Sequence, residues 1–449
     1  MKFIQTQKGL DLPISGRPEQ KIRQSNAVKH VALIGDDYIG LKPTMHVKEG
    51  DRVKTGQLLF TDKKNEGINF CSPGCGTIVS INRGARRKFE SLQIELNGDE
   101  TVRFFDPTVE PSAAMEATRI RSILLESGMW TSFRTRPYGK IPAVASSPAS
   151  LFITAIDTSP LAPAPQVVIA NSTEAYQLGL NVLRRLLSVP IHYCSAAPDL
   201  LPAERLNTLS YYRFQGPHPA GLPSTHIHFI DSVHGEKTVW HIDYQDIISI
   251  GHLFTSGSLH TEKTVSLAGP GVLRPALIST RIGASLPELC EQELSPGTLR
   301  IISGSVLSGR ESTGNQSFLG RYHNQISVVE DSNGRSFLNW ASPGKNRFSI
   351  KPLFTSALQK KRRLPLSTAL WGGKRAIYPL GTYEQVMPLD IIATSLLKAL
   401  ATGDTEKSKD LGCLELIEED FALCGFVCPG KNEFGTSLRE VLTAIERGD

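Results

Sequence analysis

The stretch VKEGDRVKTGQLLF, from Val47 to Phe60, limits the fold more than any other part of the chain. A valine, a Gly-Asp or Gly-Gln turn and an apolar run follow one another twice within it. Val47, Val53 and Leu58–Phe60 read as short strands, punctuated by Gly50 and Gly56, where a positive φ costs little. The scheme continues through FCSPGCGTIVSI (Phe70–Ile81), in which Pro73, Gly74 and Gly76 mark a turn before the strand Thr77–Ile81. Strands this short are the kind from which small sandwiches are built.

This segment resembles the biotinyl and lipoyl carrier domains, which present one lysine at the tip of a hairpin. The corresponding hairpin here is TDKKNEG, so Lys63 and Lys64 stand near the carrier position. The methionines that flank a biotinylated lysine are missing. Attachment chemistry is therefore not expected, and the charges read as a solvated turn.

The rest of the chain has the composition of an ordinary globular protein. Its 449 residues allow three or four domains, each with its own core. Apolar residues make up 40% and charged residues 21%, and no uninterrupted apolar run approaches the ~18 residues of a membrane span. The start, MKFIQTQKGLDLPISG, lacks an apolar signal core, and seven cysteines without regular pairing suit a reducing, cytoplasmic setting. The net charge of +5 is small for this length. Basic clusters at Arg83–Lys88 and Lys360–Arg363 lack interleaved aromatics, so they read as solvated loops or docking surface and no nucleic-acid partner is expected.

Four regions are expected. Residues 1–100 form the strand-rich barrel-sandwich hybrid. Residues 101–258 form a Rossmann-like α/β domain. Its first helix runs from an N-cap at Ser112 to Ser127, with Met115, Ile120, Ile123 and Leu124 on one face and Gly128 as the left-handed stop. Leu151–Ile156, Val167–Ala170, Ile191–Cys194 and Ile227–Ile230 read as strands, and Leu178–Leu187 and Asp243–Phe254 as helices. This alternation implies a sheet containing parallel strands. Residues 259–320 read as a β-grasp (SLBB-like) domain: two strands about a Gly-Pro-Gly turn, a helix from Ser285, and a returning strand in IISGSVLSG. Residues 321–449 mix strands (Gln325–Val329) with helices such as Pro388–Leu400 and Ser437–Arg447. The fold class is thus a multidomain α+β and α/β protein with a mixed, helical C-terminal region.

Six segments together resemble the A subunit of the bacterial sodium-translocating NADH:quinone reductase. They are KGLDLPISGRPEQ (Lys8–Gln20), EGDRVKTGQLLFTDKKNEG (Glu49–Gly67), SGMWTSFRTRPYGKIP (Ser127–Pro142), GPHPAGLPSTHIHFID (Gly216–Asp231), KTVWHIDYQD (Lys237–Asp246) and CGFVCPGKNEFG (Cys424–Gly435). Their order and spacing are jointly specific. The resemblance implies a peripheral subunit on the cytoplasmic face of a six-subunit membrane complex. That complex passes electrons from NADH to ubiquinone through flavins and iron–sulfur centres and exports sodium. The isolated subunit is expected to be inactive. The resemblance also implies distant kinship with the flavin-bearing subunit of respiratory complex I and with one component of a ferredoxin-linked ion pump.

In those distant relatives a glycine-rich loop after the first helix of the α/β domain cradles the flavin phosphate. MWTSFRTRPYGK stands at that place here, and Trp130, Phe133 and Tyr138 replace the glycines. Flavin binding there is not expected, and no G-x-G-x-x-G appears elsewhere. Two readings stay open for the segment. Arg134 and Arg136 with Trp130, Phe133 and Tyr138 form a contact for a quinone head or a partner subunit, or the aromatics fill the old pocket as core and the arginines pair with acids.

No catalytic, metal or cofactor residue is assigned in this chain. Cys424 and Cys428 with Pro429 echo the tail of a ferredoxin motif, but its two-residue spacings fail, and Cys194 or Cys290 would have to join Cys413 from another domain. Cys71 and Cys75 read as reduced thiols. His226 and His228 alternate along an expected strand and so face one side, yet only Asp231 lies near, so with His218 they read as structural. Walker A and G-x-S-x-G motifs are absent. The alternatives are an autonomous electron-transfer enzyme with a cryptic flavin or cluster, and a pure scaffold.

Overall fold

The computed structural model describes residues 1–197, 209–332, 343–359, 361–370 and 372–448. The N-terminal region holds two small antiparallel sheets. One is ordered His30–Ile34, Phe89–Leu96, Gly76–Arg83, Arg52–Val53, and the other Pro43–Met45, Leu58–Asp62, Asn69–Cys71. Phe60 stacks on Phe70 and meets Phe89 edge-on between the layers, so alternating apolar positions supply the core. The strand expected at Val47 is not formed, since the preceding strand ends at Met45 and Val47 lies in the irregular connection before the turn at Glu49–Gly50, and Lys63 and Lys64 are exposed between Leu58–Asp62 and Asn69–Cys71.

The α/β region is built on a six-stranded sheet ordered Lys2–Gln5, Leu209–Gln215, Ile191–Ser195, Leu151–Ala155, Val239–Asp243, Arg134–Arg136. All pairs are parallel except the last, where Arg134–Arg136 runs antiparallel along the edge. Side chains alternate between two cores. Leu151 and Ile153 pack with the helices Thr173–Leu186 and Tyr244–Ser256, whereas Phe152 packs with Tyr383, Leu396, Leu397 and Leu438 of the C-terminal helices. The two helices on the first face touch through glycines. A Cβ on Gly251 would stand 1.8 Å from the Ala175 carbonyl oxygen, and one on Gly179 2.1 Å from that of Ile247.

Two expected strands are helices. Pro165–Ala170 and Pro223–Ile230 each begin on a proline at the first helical position, where the missing N–H is one that no helix bonds. His226 and His228 are therefore two positions apart on a helix and diverge, and the shared face expected of them does not exist. The first helix of the region also starts later than expected. Ser112–Ala114 is a separate 3-10 turn, the helix spans Ala117–Glu126, and Gly128 takes the left-handed conformation at φ 75°.

The third sheet is ordered Arg310–Glu311, Leu299–Ser303, Gln325–Glu330, Glu262–Ala268, Ala276–Arg281, Glu19–Gln24. With the helix Leu286–Cys290 it makes the β-grasp. The strand Gln325–Glu330 lies between Leu299–Ser303 and Glu262–Ala268, so this sheet takes in residues beyond 320, and Glu19–Gln24 joins it from the N-terminal region. The C-terminal helices include Ala393–Thr402 and Phe434–Arg447, and they pack on the second face of the α/β sheet.

Candidate functional site

After Leu151–Ala155 the chain adds Ile191–Ser195 and Leu209–Gln215 on one side, then returns with Val239–Asp243 on the other. Open α/β sheets bind ligands beyond the carboxyl ends of the strands at such a reversal. A cavity of about 120 Å³ lies there, floored by Thr154, Asp157, Asp243 and Gln245. The start of the helix Pro223–Ile230, Arg134 of the edge strand, Lys263, Tyr322 and His323 of the β-grasp, and Glu419 complete its walls.

The lining is polar and largely satisfied from within. Asp243 caps the helix Tyr244–Ser256 by accepting from the Gln245 N–H at 2.8 Å, and its second oxygen accepts from Asn324 Nδ2 at 3.1 Å. Burial, and then the neighbouring Asp246, push its pKa up, while the same burial and Arg321 push that of Lys263 down. Lys263 Nζ donates to the Arg321 carbonyl at 2.8 Å. Asp157 accepts from the Ser159 N–H at 2.8 Å, and desolvation raises its pKa to about 6. His323 is held neutral, down to about 4, by burial. Thr154 Oγ1 is buried and has no hydrogen-bond partner among the described residues.

The structure separates the segment Trp130–Tyr138. Trp130 and Phe133 are fully buried and meet Trp240 at 5.5 Å each, so they are core. The Trp130 indole N–H donates to the Pro142 carbonyl at 2.9 Å. Arg134 alone of the segment's five candidates lines the cavity, its guanidinium 4.6 Å from the Tyr322 ring centroid. Arg136 is fully buried behind that wall. It donates to Ser224 Oγ at 3.1 Å and to His241 Nε2 at 2.9 Å, which makes His241 the acceptor and hence neutral. Burial pulls the Arg136 pKa down to about 10 despite Asp420 and Glu419 nearby, and its Nη2 lies 3.9 Å from Glu419 Oε1. Tyr138 packs with the C-terminal helices, and its carbonyl accepts from Arg439 at 2.8 Å.

Sequence reasoning missed Asp157, Lys263, Tyr322 and His323. Asp157 carries a readable signal, a polar residue just past the carboxyl end of an apolar strand. The β-grasp residues carry none, since only the tertiary fold brings them to the cavity.

The histidines are integrated into the α/β framework. His226 is fully buried, bonded to the Ala220 carbonyl at 3.1 Å and driven down to about 3 by desolvation. His228 Nε2 accepts from the Asp390 N–H at 2.9 Å, so its Nδ1 carries the proton and donates to Glu415 at 2.5 Å. All seven cysteines are buried and free. Among the described residues, no group of three or more His, Cys, Asp or Glu is placed to hold a metal. Tyr383 and Asn432 both donate to Cys428 Sγ, at 3.1 and 3.4 Å; burial pushes this thiol's pKa up, but these donors together with the backbone N–H groups of Asn432 and Gly430 outweigh it and hold the pKa below the usual thiol value.

Three family models cover most of the chain. The NqrA N-terminal barrel-sandwich hybrid domain matches residues 4–97, the NqrA second alpha/beta domain 115–259, and the NQRA C-terminal domain 264–314. Among curated relatives, the A subunit of the Na(+)-translocating NADH-quinone reductase of Pasteurella multocida (strain Pm70) is 49% identical over 99% of this chain and 100% of its own length. The A subunit from Pseudomonas aeruginosa (strain PAO1) is 50% identical with the same coverage. Among solved structures, an NAD+-reducing [NiFe]-hydrogenase in the H2-reduced state aligns with 51% of this chain and 49% of that one at 12% identity and a TM-score of 0.37, too slight a likeness to bear on the fold. By its three matched domains and its full-length identity to these relatives, the chain belongs to the A-subunit family of the Na(+)-translocating NADH-quinone reductases.

Proposed function

We propose that the chain works as the peripheral A subunit of a sodium-translocating NADH:quinone reductase, on the cytoplasmic side of the membrane. Its identity to whole relatives over 99% of its length carries this reading. Among the described residues no helix is long and apolar enough to cross a membrane, which suits a component held by others. Its own part is architectural. The position where distant flavoproteins carry a glycine loop is packed with Trp130, Phe133 and Trp240, and such packing favours a rigid module over a flavin carrier.

The cavity beside Arg134 supports a second element of the proposal, a contact with the head of ubiquinone. Arg134 supplies donors for a carbonyl oxygen, and the Tyr322 ring beneath it supplies an aromatic surface. Flavins and iron–sulfur centres belong to the other subunits in this reading.

The test is to purify the tagged chain from gently solubilised membranes. Co-recovery of partner subunits with sodium-stimulated NADH:quinone reductase activity is the expected result. A chain recovered alone, or one carrying stoichiometric flavin or iron after separation from its partners, defeats the reading and returns the autonomous electron-transfer enzyme.

A further inference from the structure

His323 lines the cavity beside Arg134, and its surroundings hold the ring in one tautomer and one plane. Ser303 Oγ accepts from the Gly320 N–H at 2.8 Å and lies 2.8 Å from His323 Nδ1. Ser303 is fully buried, and its hydroxyl has no other hydrogen-bond partner among the described residues. The hydroxyl proton therefore goes to Nδ1, because the reverse arrangement would strand it in the interior. Burial keeps the imidazole neutral, with a pKa lowered to about 4. A neutral ring that accepts at Nδ1 carries its own proton on Nε2.

Glycines crowd the ring on both sides of that nitrogen. A Cβ on Gly320 would stand 2.8 Å from His323 Cε1, and one on Gly304 would stand 3.0 Å from its Cδ2. Nε2 itself enters no hydrogen bond among the described residues, yet it is not sealed within protein. The guanidinium of Arg134 lies over the Tyr322 ring and likewise enters no hydrogen bond among the described residues. The cavity thus holds donors that await an acceptor.

Asp157, Asp243 and Glu419 stand in the same walls and disfavour an anion there. Unpaired donors beside carboxylates suit a neutral ligand whose oxygens accept, and a quinone carbonyl is such a group. We propose that the Nε2–H of His323 donates to one carbonyl oxygen of the ubiquinone head and, together with Arg134, fixes how the quinone ring lies in the cavity. His323 is then the orienting donor of the quinone contact proposed above, and this role rests on that contact.

The complex is purified with His323→Asn, His323→Gln or Arg134→Ala, its subunit content is checked, and the KM for a short-chain, water-soluble ubiquinone is measured. An asparagine amide oxygen reaches the Nδ1 position and keeps the bond from Ser303, but it leaves no donor at Nε2. A glutamine amide places an N–H at Nε2 and gives up the bond from Ser303. His323→Asn should raise KM about two- to tenfold, the span of one neutral hydrogen bond, and His323→Gln should stay within about twofold of wild type. Any pattern in which glutamine does no better than asparagine overturns the proposal, since a merely structural histidine is better replaced by asparagine. If Arg134→Ala then still raises KM, the quinone contact stands without His323; if it does not, the contact falls as well. Should a His323 variant fail to assemble, wild-type chain carrying isotope-labelled histidine decides by nuclear magnetic resonance. Addition of the same ubiquinone should shift the Nε2 resonance of His323, in a ring protonated at Nε2. An Nδ1–H tautomer or an unmoved resonance overturns the proposal.

Discussion

Arg321 and Asp246 meet at 2.7 Å, each more than nine-tenths buried, where the β-grasp abuts the α/β sheet. The same arginine donates to Ser132 Oγ at 2.9 Å, and its backbone N–H donates to Asp37 of the N-terminal region at 2.8 Å. One residue therefore ties three parts of the chain beside the cavity. Breaking a buried pair leaves a charge without its partner and typically costs about 3–5 kcal/mol. Arg321→Met should lower the urea midpoint by that equivalent, whereas joint replacement of Arg321 and Asp246 by apolar residues should cost less than the two single changes summed. An additive result would mean that the pair does not hold the seam.

Lys63 and Lys64 should carry no lipoyl or biotinyl group. The structure places them at an exposed hairpin tip, as in a carrier, but a ligase also needs the flanking sequence, and the methionines are absent. The intact mass of chain isolated from cells with both ligases should equal that of the unmodified polypeptide. A gain matching either group refutes this.

How much was legible in the sequence differs between regions for physical reasons. The N-terminal sandwich could be read because glycines at Gly50 and Gly56, with φ 88° and 82°, fix where each strand must end. Val167–Ala170 and Ile227–Ile230 misled because a short apolar run fits a buried strand and a buried helix equally. The correcting signal was present, since Pro165 and Pro223 each open a helix. At the site, the cluster of aromatics and arginines from Trp130 to Tyr138 was visible in the sequence, and so was the choice between core and contact. Which residue served which could not be read. Alternation along the edge strand sends Arg134 to the cavity and Thr135 to the other face, and Arg136 shares Arg134's side but lies farther inside, under Ser224 and His241.

Asp157 should make the protein's stability depend on pH in a definite direction. Its folded pKa is raised to about 6 by desolvation, above the ordinary value of 3.8. Between these values the folded state holds a proton that the unfolded chain has already released. Its contribution is therefore fully present below pH ~4 and is lost as pH rises to ~6, by up to about 3 kcal/mol before any relaxation of the cavity. Asp157→Asn removes this loss, so the variant should exceed wild type in stability at pH 7 and match it near pH 4. Melting curves of both proteins across that range give the difference directly. A constant offset at every pH would place the Asp157 carboxylate in a solvated setting.

Arg134 and Arg136, two residues apart, should behave as different kinds of residue. Arg136 is fully buried against Ser224, His241, Glu419 and Asp420, so Arg136→Ala strands acids and opens a void. It should cost several kcal/mol, on the order of 3–5, and lower the yield of assembled complex. Arg134 is partly exposed, and its contact is the Tyr322 ring at 4.6 Å. Arg134→Ala should cost only about 0.5–1 kcal/mol of stability, the usual value of an exposed cation–π contact. If the cavity meets the quinone head, that variant should assemble normally, oxidise NADH at the wild-type rate with an artificial acceptor, and reduce ubiquinone more slowly. Arg134→Lys keeps the charge but not the planar fork, so it should restore only part of the quinone rate. Wild-type quinone reduction in a fully assembled Arg134→Ala complex would leave the cavity without a part in the reaction and Arg134 as framework alone.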